Sequence, residues 1–458
     1  MQGDQLISFL DSRLPGIGYS VNANDLIQFG QDWTRFYTPD PAVVFFPKST
    51  ADVQGIVKVA AEIGQVVVPS GGRTGYSAGA VAADKEWVIS LAAMREIGDY
   101  NPIEQTVKVE AGVITAELQH FAEQHDLFYP VDFASSGSSQ IGGNIATNAG
   151  GIRVLRYGLT RDYVQSLTVV TGEGEVLHLN NGLIKNAAGP DFRHLMIGSE
   201  GILGVITEAE MRLLPQPPNQ SVMLLALTDL DAVMQVFAMA RKHLTLSSFE
   251  FFSHQALQRV TSHRELNQPF TEAHSHYVLM EFDDDETAVM ALFEKGMEQD
   301  IISDGVLAQS MDQAQQLWQY REGISESIAH LTPYKNDISV RISKVTEFMQ
   351  KLDDILAKHY PDFEIIWFGH IGDGNLHLNI LKPEPLSTEE FKQRCEQVNV
   401  HVYGLIEALE GSISAEHGVG MLKKPFLHHS RNQADLALLK AMKKAFDPHN
   451  ILNRGKVI

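Results

Sequence analysis

The sequence predicts an α+β protein of two domains, and three observations lead there. The chain has 458 residues, well beyond the ~100–200 typical of one domain. Its second half alternates strand-like and helix-like runs, the pattern of an antiparallel sheet with helices on one face. Near the middle, Pro215-Gln216-Pro217-Pro218-Asn219 interrupts the chain, and such a run disfavours regular structure. Residues 1–217 read as a first domain, 218–414 as a second, and 415–458 as a segment that returns to the first.

The elements follow in order. Ser49 or Thr50 can cap a helix whose apolar positions are Val53, Ile56, Val57, Ala60 and Ile63, and Gly64 can stop it. A buried strand follows at 65–68, closed by Pro69, and then a glycine-rich loop over 70–76. Further strands are expected at 87–90, 106–110, 164–171 and 176–179, the last two joined as a hairpin by Gly172-Glu173-Gly174. In the second half, strands are expected at 221–227, 276–282, 364–368 and 376–380, and helices near 230–243, 286–299, 345–359 and 388–410. There is no internal repeat and no low-complexity tract.

Composition removes several function classes. Hydrophobic residues make up 44% and charged residues 20%, ordinary for a globular protein. Lys plus Arg is 36 and Asp plus Glu is 57, a formal charge of −21. That balance argues against nucleic acid and anionic membrane surfaces, which need clustered cations. The single cysteine, Cys395, cannot build an internal disulfide, an iron–sulfur cluster or a cysteine-rich zinc site. It reads as an inert thiol rather than a nucleophile. The first fourteen residues carry Asp4, Asp11 and Arg13 and no apolar signal core. The apolar stretch 222–240 is broken by Asp229 and Asp231, so it is no membrane span. The cytoplasm is the expected location, with a mature organellar protein as the alternative.

Three glycine-rich stretches mark the first half: 70–76 (Ser-Gly-Gly-Arg-Thr-Gly-Tyr), 141–151 (Ile-Gly-Gly-Asn-Ile-Ala-Thr-Asn-Ala-Gly-Gly) and 198–207 (Gly-Ser-Glu-Gly-Ile-Leu-Gly-Val-Ile-Thr). They are either tight turns or places where backbone comes close to a ligand and offers a nest of N–H groups. The third reads G-x-x-G-x-x-G and does not open a first βαβ unit, so a Rossmann dinucleotide site is rejected.

The chemistry-bearing stretch of the second half is Gly369-His370-Ile371-Gly372-Asp373-Gly374-Asn375-Leu376-His377-Leu378-Asn379. On a strand, Asn375, His377 and Asn379 share one face. A turn at 372–374 would bring His370 beside His377. Ser414-Ala415-Glu416-His417-Gly418 offers Glu416 as an anionic third ligand, and two His with one carboxylate suit a divalent metal with open positions. Adjacent residues on extended chain point apart, which lets Glu416 and His417 take different roles.

The three glycine stretches, in this order and spacing, resemble the FAD-binding domain of the vanillyl-alcohol oxidase type of flavoprotein. The resemblance implies FAD contacts from Ser70, Gly71, Gly72, Arg73, Thr74, Gly75, Ser138, Gly142, Asn144, Thr147, Gly201, Ile206 and Asn453. Some members attach FAD through a His in the first loop. Arg73 stands there in this chain, which implies non-covalent FAD. The motifs of the second half, with Phe446-Asp447-Pro448 and Ile451-Leu452-Asn453 near the C-terminus, resemble the D-2-hydroxyacid dehydrogenases of that family, the D-lactate, glycolate and D-2-hydroxyglutarate enzymes. This implies Zn²⁺ or another divalent metal on His370, His377 and Glu416, and His417 as general base. It further implies a carboxylate-binding set of Arg321, Ser325, Lys335 and Asn379, with Lys335 marking a substrate that has a second carboxylate.

Three departures from the family stand out: Ser325 where Thr is usual, Val340-Arg341 in place of a Pro-containing segment, and Asn453-Arg454 in place of Asn-Pro. Arg341 would add a cation near the pocket and opens D-malate as an alternative to D-2-hydroxyglutarate, beside D-lactate and glycolate. A flavin-free metal hydrolase and a non-catalytic binding module are the competing classes. With no haem motif and no cysteine cluster, electrons need a separate acceptor, for which the family suggests an electron-transfer flavoprotein or a quinone. A homodimer is the family-based expectation.

Overall fold

The computed structural model describes residues 3–34 and 36–458; Met1, Gln2 and Arg35 lie outside the described residues. The chain forms two compact units. One comprises the residues up to 151, 159–216 and 416–458; the other comprises 152–158 and 217–415. Among the described residues no helix is long and apolar enough to cross a membrane.

In the first unit, local signals act as read. The Ser49 side chain accepts from Asp52 N–H and opens the helix Thr50–Ile63. Val53, Ile56, Val57 and Ala60 face the interior, and Gly64 ends the helix at φ 68°. The strand that follows is Val67–Ser70, so Pro69 lies inside it rather than after it. This corrects the sequence reading. The strand is the edge of a four-stranded sheet ordered Gly18–Ser20, Val43–Phe46, Trp87–Ser90, Val67–Ser70, and an edge tolerates a residue with no N–H. Beyond Val67 the chain's end closes the flank: Val67 N–H donates to Ile451 O, and Asn453 N–H to Val67 O, both at 2.8 Å. An antiparallel five-stranded sheet runs Ile97–Asn101, Thr106–Glu110, Val205–Arg212, Val164–Val170, Val176–Leu179. Its last pair is the hairpin turned by 172–174.

The second glycine stretch departs from a loop. Residues Ile141–Thr147 are helical. A Cβ on Gly142 would sit 2.6 Å from the Ala111 side chain, so glycine lets this short helix lie directly on backbone.

The second unit is one antiparallel sheet of seven strands, ordered Ile302–Leu307, Gln220–Leu227, His276–Asp283, Leu246–Ser253, Ile365–Gly369, Asn375–Ile380, Tyr334–Ser339. The helices Leu230–His243, Glu286–Glu298, Val345–His359 and Thr388–Ala408 layer on one face, where Phe237 meets Phe249 and Tyr403 reaches Asn336. The opposite face carries three more helices that the sequence reading did not place: His254–Arg264, Met311–Glu322 and Ile324–Ser327. Their Leu257, Val260, Leu317, Trp318 and Ile324 pack with Phe252, Ile366 and Phe368 of the sheet. The long amphipathic helices supply one hydrophobic layer. The shorter ones cover only part of the other face, and polar side chains gather there.

Candidate functional site

In the first unit the three glycine stretches converge. A Cβ on Gly72 would lie 2.3 Å from Ser138 O, and one on Gly71 3.7 Å from Gly143 Cα. Glu200 N–H donates to Ala146 O at 2.8 Å and Gly198 N–H to Ile145 O at 3.0 Å, and a Cβ on Gly201 would be 3.1 Å from Pro69. The N–H groups of residues 71–75 make no hydrogen bond among the described residues. Five such donors in succession form an anion nest. Ser70 Oγ and Gln140 Oε1 are buried with no partner among the described residues, and a Cβ on Gly143 would meet nothing within 4 Å. The backbone N–H groups and the Ser70 hydroxyl are donors beside open space and fit a bound pyrophosphate cofactor such as FAD, while Gln140 Oε1 is an acceptor.

Other expected cofactor residues spend their side chains inside the protein. Arg73, at φ 58°, donates to Gly71 O and lies over the Phe29 ring at 4.5 Å, with burial lowering its pKa. Asn144 donates to Thr115 Oγ1 and Thr147 to Gly143 O. Ser138 donates to Ser135 O. Asn453 donates to Gly79 O and Glu200 O and accepts from Lys456 Nζ. Burial holds that lysine down at about 8. Ile206 lies at an irregularity between Val205–Arg212 and its neighbour. Thr74 and Gly75 belong to the nest.

The Glu416-His417 segment is fastened in this same unit. Ser77 Oγ donates to the carbonyls of His417 and Gly418 at 2.8 and 2.9 Å, and the Tyr76 and His417 rings lie 5.1 Å apart. The Glu200 carboxylate accepts from Val419 and Gly420 N–H at 2.7 and 2.8 Å. Burial pushes that carboxyl up against the two N–H donors, which favour its charge. Gly420, at φ 50°, admits no side chain, since a Cβ would be 2.0 Å from Ser77 O. Glu416 Oε1 accepts from Gly151 N–H at 3.1 Å. Ser77 and Glu200 were not singled out in the sequence. Their work is contact with backbone more than 200 residues away, which leaves no local signal.

In the second unit three of the expected residues, Lys335, His377 and Asn379, share one sheet face. Lys335, Asp337 and Ser339 stand opposite Asn379, His377 and Asn375, and Phe368 stands opposite His377 on the other side. Residues directly opposite on paired strands point the same way. Arg321, at the end of Met311–Glu322, lies over the Phe368 ring at 4.9 Å. Ser325 follows one turn later, half-buried. The His370 and His377 rings are 5.4 Å apart at 81°.

Two buried carboxylates stand behind these histidines, and the sequence did not mark either. Glu250 Oε1 is 2.9 Å from His370 Nδ1, and Asp337 Oδ1 is 3.6 Å from His377 Nδ1. Both rings turn Nδ1 toward an anion, which leaves Nε2 for the ligand role. Imidazoles backed by carboxylates are the donor chemistry of zinc-type sites, so these residues fit a divalent cation. Burial draws the Lys335 ammonium down to about 8. Among the described residues, Arg321 Nε and Asn379 Oδ1 are buried without a hydrogen-bond partner. Asn379 Nδ2 reaches carbonyls only at 3.4 and 3.5 Å. A bound carboxylate would accept from the Arg321 and Asn379 N–H groups, while Asn379 Oδ1 is itself an acceptor.

Arg341 does not join them, contrary to the sequence reading. Its side chain is 75% exposed and faces Glu410 at 3.7 Å. Cys395 is buried and pushed up to about 12, against its thiolate form.

Comparison with known proteins gives the same picture for both halves. Residues 41–180 match the family model described as the FAD binding domain, and residues 216–457 match that of FAD linked oxidases, C-terminal domain. The chain is 49% identical to a D-2-hydroxyglutarate dehydrogenase of Xanthomonas citri pv. viticola, across 99% of this chain and 97% of that protein. It is 51% identical to a D-2-hydroxyglutarate dehydrogenase of Stutzerimonas stutzeri, across 95% of each. Among solved structures, the 4-ethylphenol oxidase of Gulosibacter chungangensis with isoeugenol shares 16% identity at a TM-score of 0.76, across 100% of this chain and 98% of that one. At that identity the likeness establishes the fold. Glycine stretches that meet around an N–H nest, the antiparallel second unit and two close relatives over nearly the whole chain place it in one group: it belongs to the FAD-linked D-2-hydroxyacid dehydrogenases of the vanillyl-alcohol oxidase flavoprotein family.

Proposed function

We propose that the protein oxidises D-2-hydroxyglutarate to the 2-oxo diacid and passes the electrons to a separate acceptor. The observation that carries the substrate is the shared face of Lys335, Asn379 and His377, with the Arg321 guanidinium beside it. Two cations on one desolvated face suit a small molecule with two carboxylates. In this reading Arg321 grips the carboxylate next to the reacting carbon, in a geometry only a guanidinium offers. Lys335 and Asn379 take the distal carboxylate, and Ser325 adds a hydroxyl. His417 accepts the proton of the 2-hydroxyl, as an imidazole can near neutral pH. Residues 70–75, Gly142, Gly201 and their neighbours hold FAD, which when bound accepts the hydride from C2. His370, His377 and Glu416 hold Zn²⁺ or a similar ion, whose chemistry is to acidify the substrate hydroxyl.

The acceptor in this reading is an electron-transfer flavoprotein or a quinone, met in the cytoplasm. The chain's one cysteine is buried and offers no internal relay.

The test is anaerobic bleaching of the bound flavin by D-2-hydroxyglutarate, D-malate, D-lactate and glycolate, before and after treatment with a chelator. The five-carbon diacid should bleach fastest, and the chelated protein should stay yellow. Faster bleaching by D-lactate, or bleaching untouched by complete metal removal, would refute the assignment.

A further inference from the structure

We propose that Glu250 is a positioning residue, one buried carboxylate that fixes His370 as a metal ligand and Arg321 as a carboxylate clamp together. The proposal rests on the reading of His370 and Arg321 given above. Glu250 is 1% exposed. Its Oε1 lies 2.9 Å from His370 Nδ1, and its Oε2 lies 2.8 Å from Arg321 Nη2. The sheet puts it there. Glu250 is two residues before Phe252 and so shares its face; Phe252 stands opposite Phe368, which stands opposite His377.

The chemistry follows from the donor inventory. An ionised carboxylate only accepts, so His370 Nδ1 donates and the ring's lone pair is on Nε2. That is the tautomer in which an imidazole binds a cation, and a carboxylate behind it makes Nε2 more basic. The second oxygen pairs with the Arg321 charge, and the guanidinium lies over the Phe368 ring at 4.9 Å. A buried ion pair is weak evidence of a stability role, because desolvation offsets its attraction. Among the described residues, Arg321 Nε, Arg321 Nη2 and Glu250 Oε2 are all buried without a hydrogen bond, so the 2.8 Å contact is an ion pair that leaves guanidinium donors for a ligand. Asp337 backs His377 more loosely, at 3.6 Å, and also accepts from Asn375 Nδ2 at 2.9 Å. Glu250 is the tighter support, and alone of the two it also reaches the substrate clamp.

The experiment compares Glu250→Gln, Arg321→Gln, the double variant and His370→Ala, each with FAD bound and stripped of metal. Zn²⁺ affinity is read by competition with a chromophoric chelator, and KM and kcat are read separately after reloading. Glu250→Gln should bind Zn²⁺ roughly 10- to 100-fold more weakly and should also show a raised KM. Arg321→Gln should raise KM and leave Zn²⁺ affinity unchanged. The double variant removes both charges and leaves no unpaired buried ion. It keeps the test open should Glu250→Gln fail to fold, and it should show the same loss of Zn²⁺ affinity. Wild-type Zn²⁺ affinity in Glu250→Gln or in the double variant, with binding lost in His370→Ala, overturns the role of Glu250 and leaves the metal reading standing. Wild-type Zn²⁺ affinity in His370→Ala overturns both.

Discussion

Lys335→Met should make the protein more stable and a worse diacid dehydrogenase. Burial draws this ammonium from 10.5 down to about 8. At 1.36 kcal/mol per unit the folded state gives up at most ~3.4 kcal/mol by keeping the charge at neutral pH. Lys335 is half-buried, so solvent screening reduces this to roughly 1–3 kcal/mol. Methionine keeps the stem and removes the charge. For a unit of about 200 residues, each kcal/mol moves Tm by roughly 2–4 °C, so a rise of about 2–12 °C is expected by differential scanning fluorimetry. The sign can be checked by pH. Between about 8 and 10.5 the unfolded chain binds the extra proton, so wild-type stability climbs with pH and the gap to Lys335→Met closes. Kinetically, a charged contact to the distal carboxylate is worth ~1.5–3 kcal/mol, which lowers kcat/KM for D-2-hydroxyglutarate by roughly 10- to 150-fold. D-lactate turnover should hardly change. In the wild type, kcat/KM for the diacid should fall as pH rises above about 8, and that for D-lactate should lack this limb. A variant that is no more stable, or that loses both substrates equally, refutes the reasoning.

Other consequences are as direct. Gly72→Ala places a methyl 2.3 Å from Ser138 O and 2.8 Å from Ser139 Cα, both rigid backbone. At ~1–3 kcal/mol for such overpacking, flavin retention should weaken by roughly 5- to 150-fold, read from the ratio of flavin to protein absorbance after gel filtration. Cys395, buried and pushed up to about 12, should resist a thiol reagent at pH 8 until the protein unfolds; rapid native labelling would contradict the packing. Arg341→Ala should leave KM for D-2-hydroxyglutarate and D-malate within about twofold, since an exposed pair such as Arg341–Glu410 contributes only ~0–1 kcal/mol. A selective loss on either diacid would put Arg341 back at the pocket.

What the sequence made legible was whatever acts at short range. Ser49 and Gly64 bracket a helix through hydrogen bonds and a positive φ within the helix itself. The Asn375–His377–Asn379 alternation needs only the period of a strand. Leu246–Ser253, the central strand that carries Glu250, was missed. Its sequence, Leu-Ser-Ser-Phe-Glu-Phe-Phe-Ser, has no clean alternation because both faces are buried, and a glutamate there reads as a surface residue. Its burial makes sense only with His370, 120 residues away, and Arg321 beside it. Gly142 and Gly143 read as loop for a similar reason: the close approach to Ala111 that calls for glycine inside a helix is tertiary.

The same distinction decides the substrate argument. Lys335 and Arg341 stand six residues apart, and by parity along an extended chain both would present to one face. The strand ends at Ser339, however, where Ser339 pairs with Ser412. There Val340 turns against Gly374, whose missing Cβ would lie 2.2 Å from Val340 O. Past that point parity no longer governs, and Arg341 leaves the sheet for solvent. Only Lys335 keeps a register partner on the polar face, Asn379. A third cation drawn toward the reacting carbon would have favoured a shorter diacid. Without it, the cations on that face are the Arg321 guanidinium beside Phe368 and the Lys335 ammonium at the Asn379 position. His377 lies one register step from Lys335 along the sheet, two residues on each strand. In the proposed reading, the ammonium for the distal carboxylate thus stands a full strand repeat from the metal-ligand position, and this favours the longer diacid over D-malate.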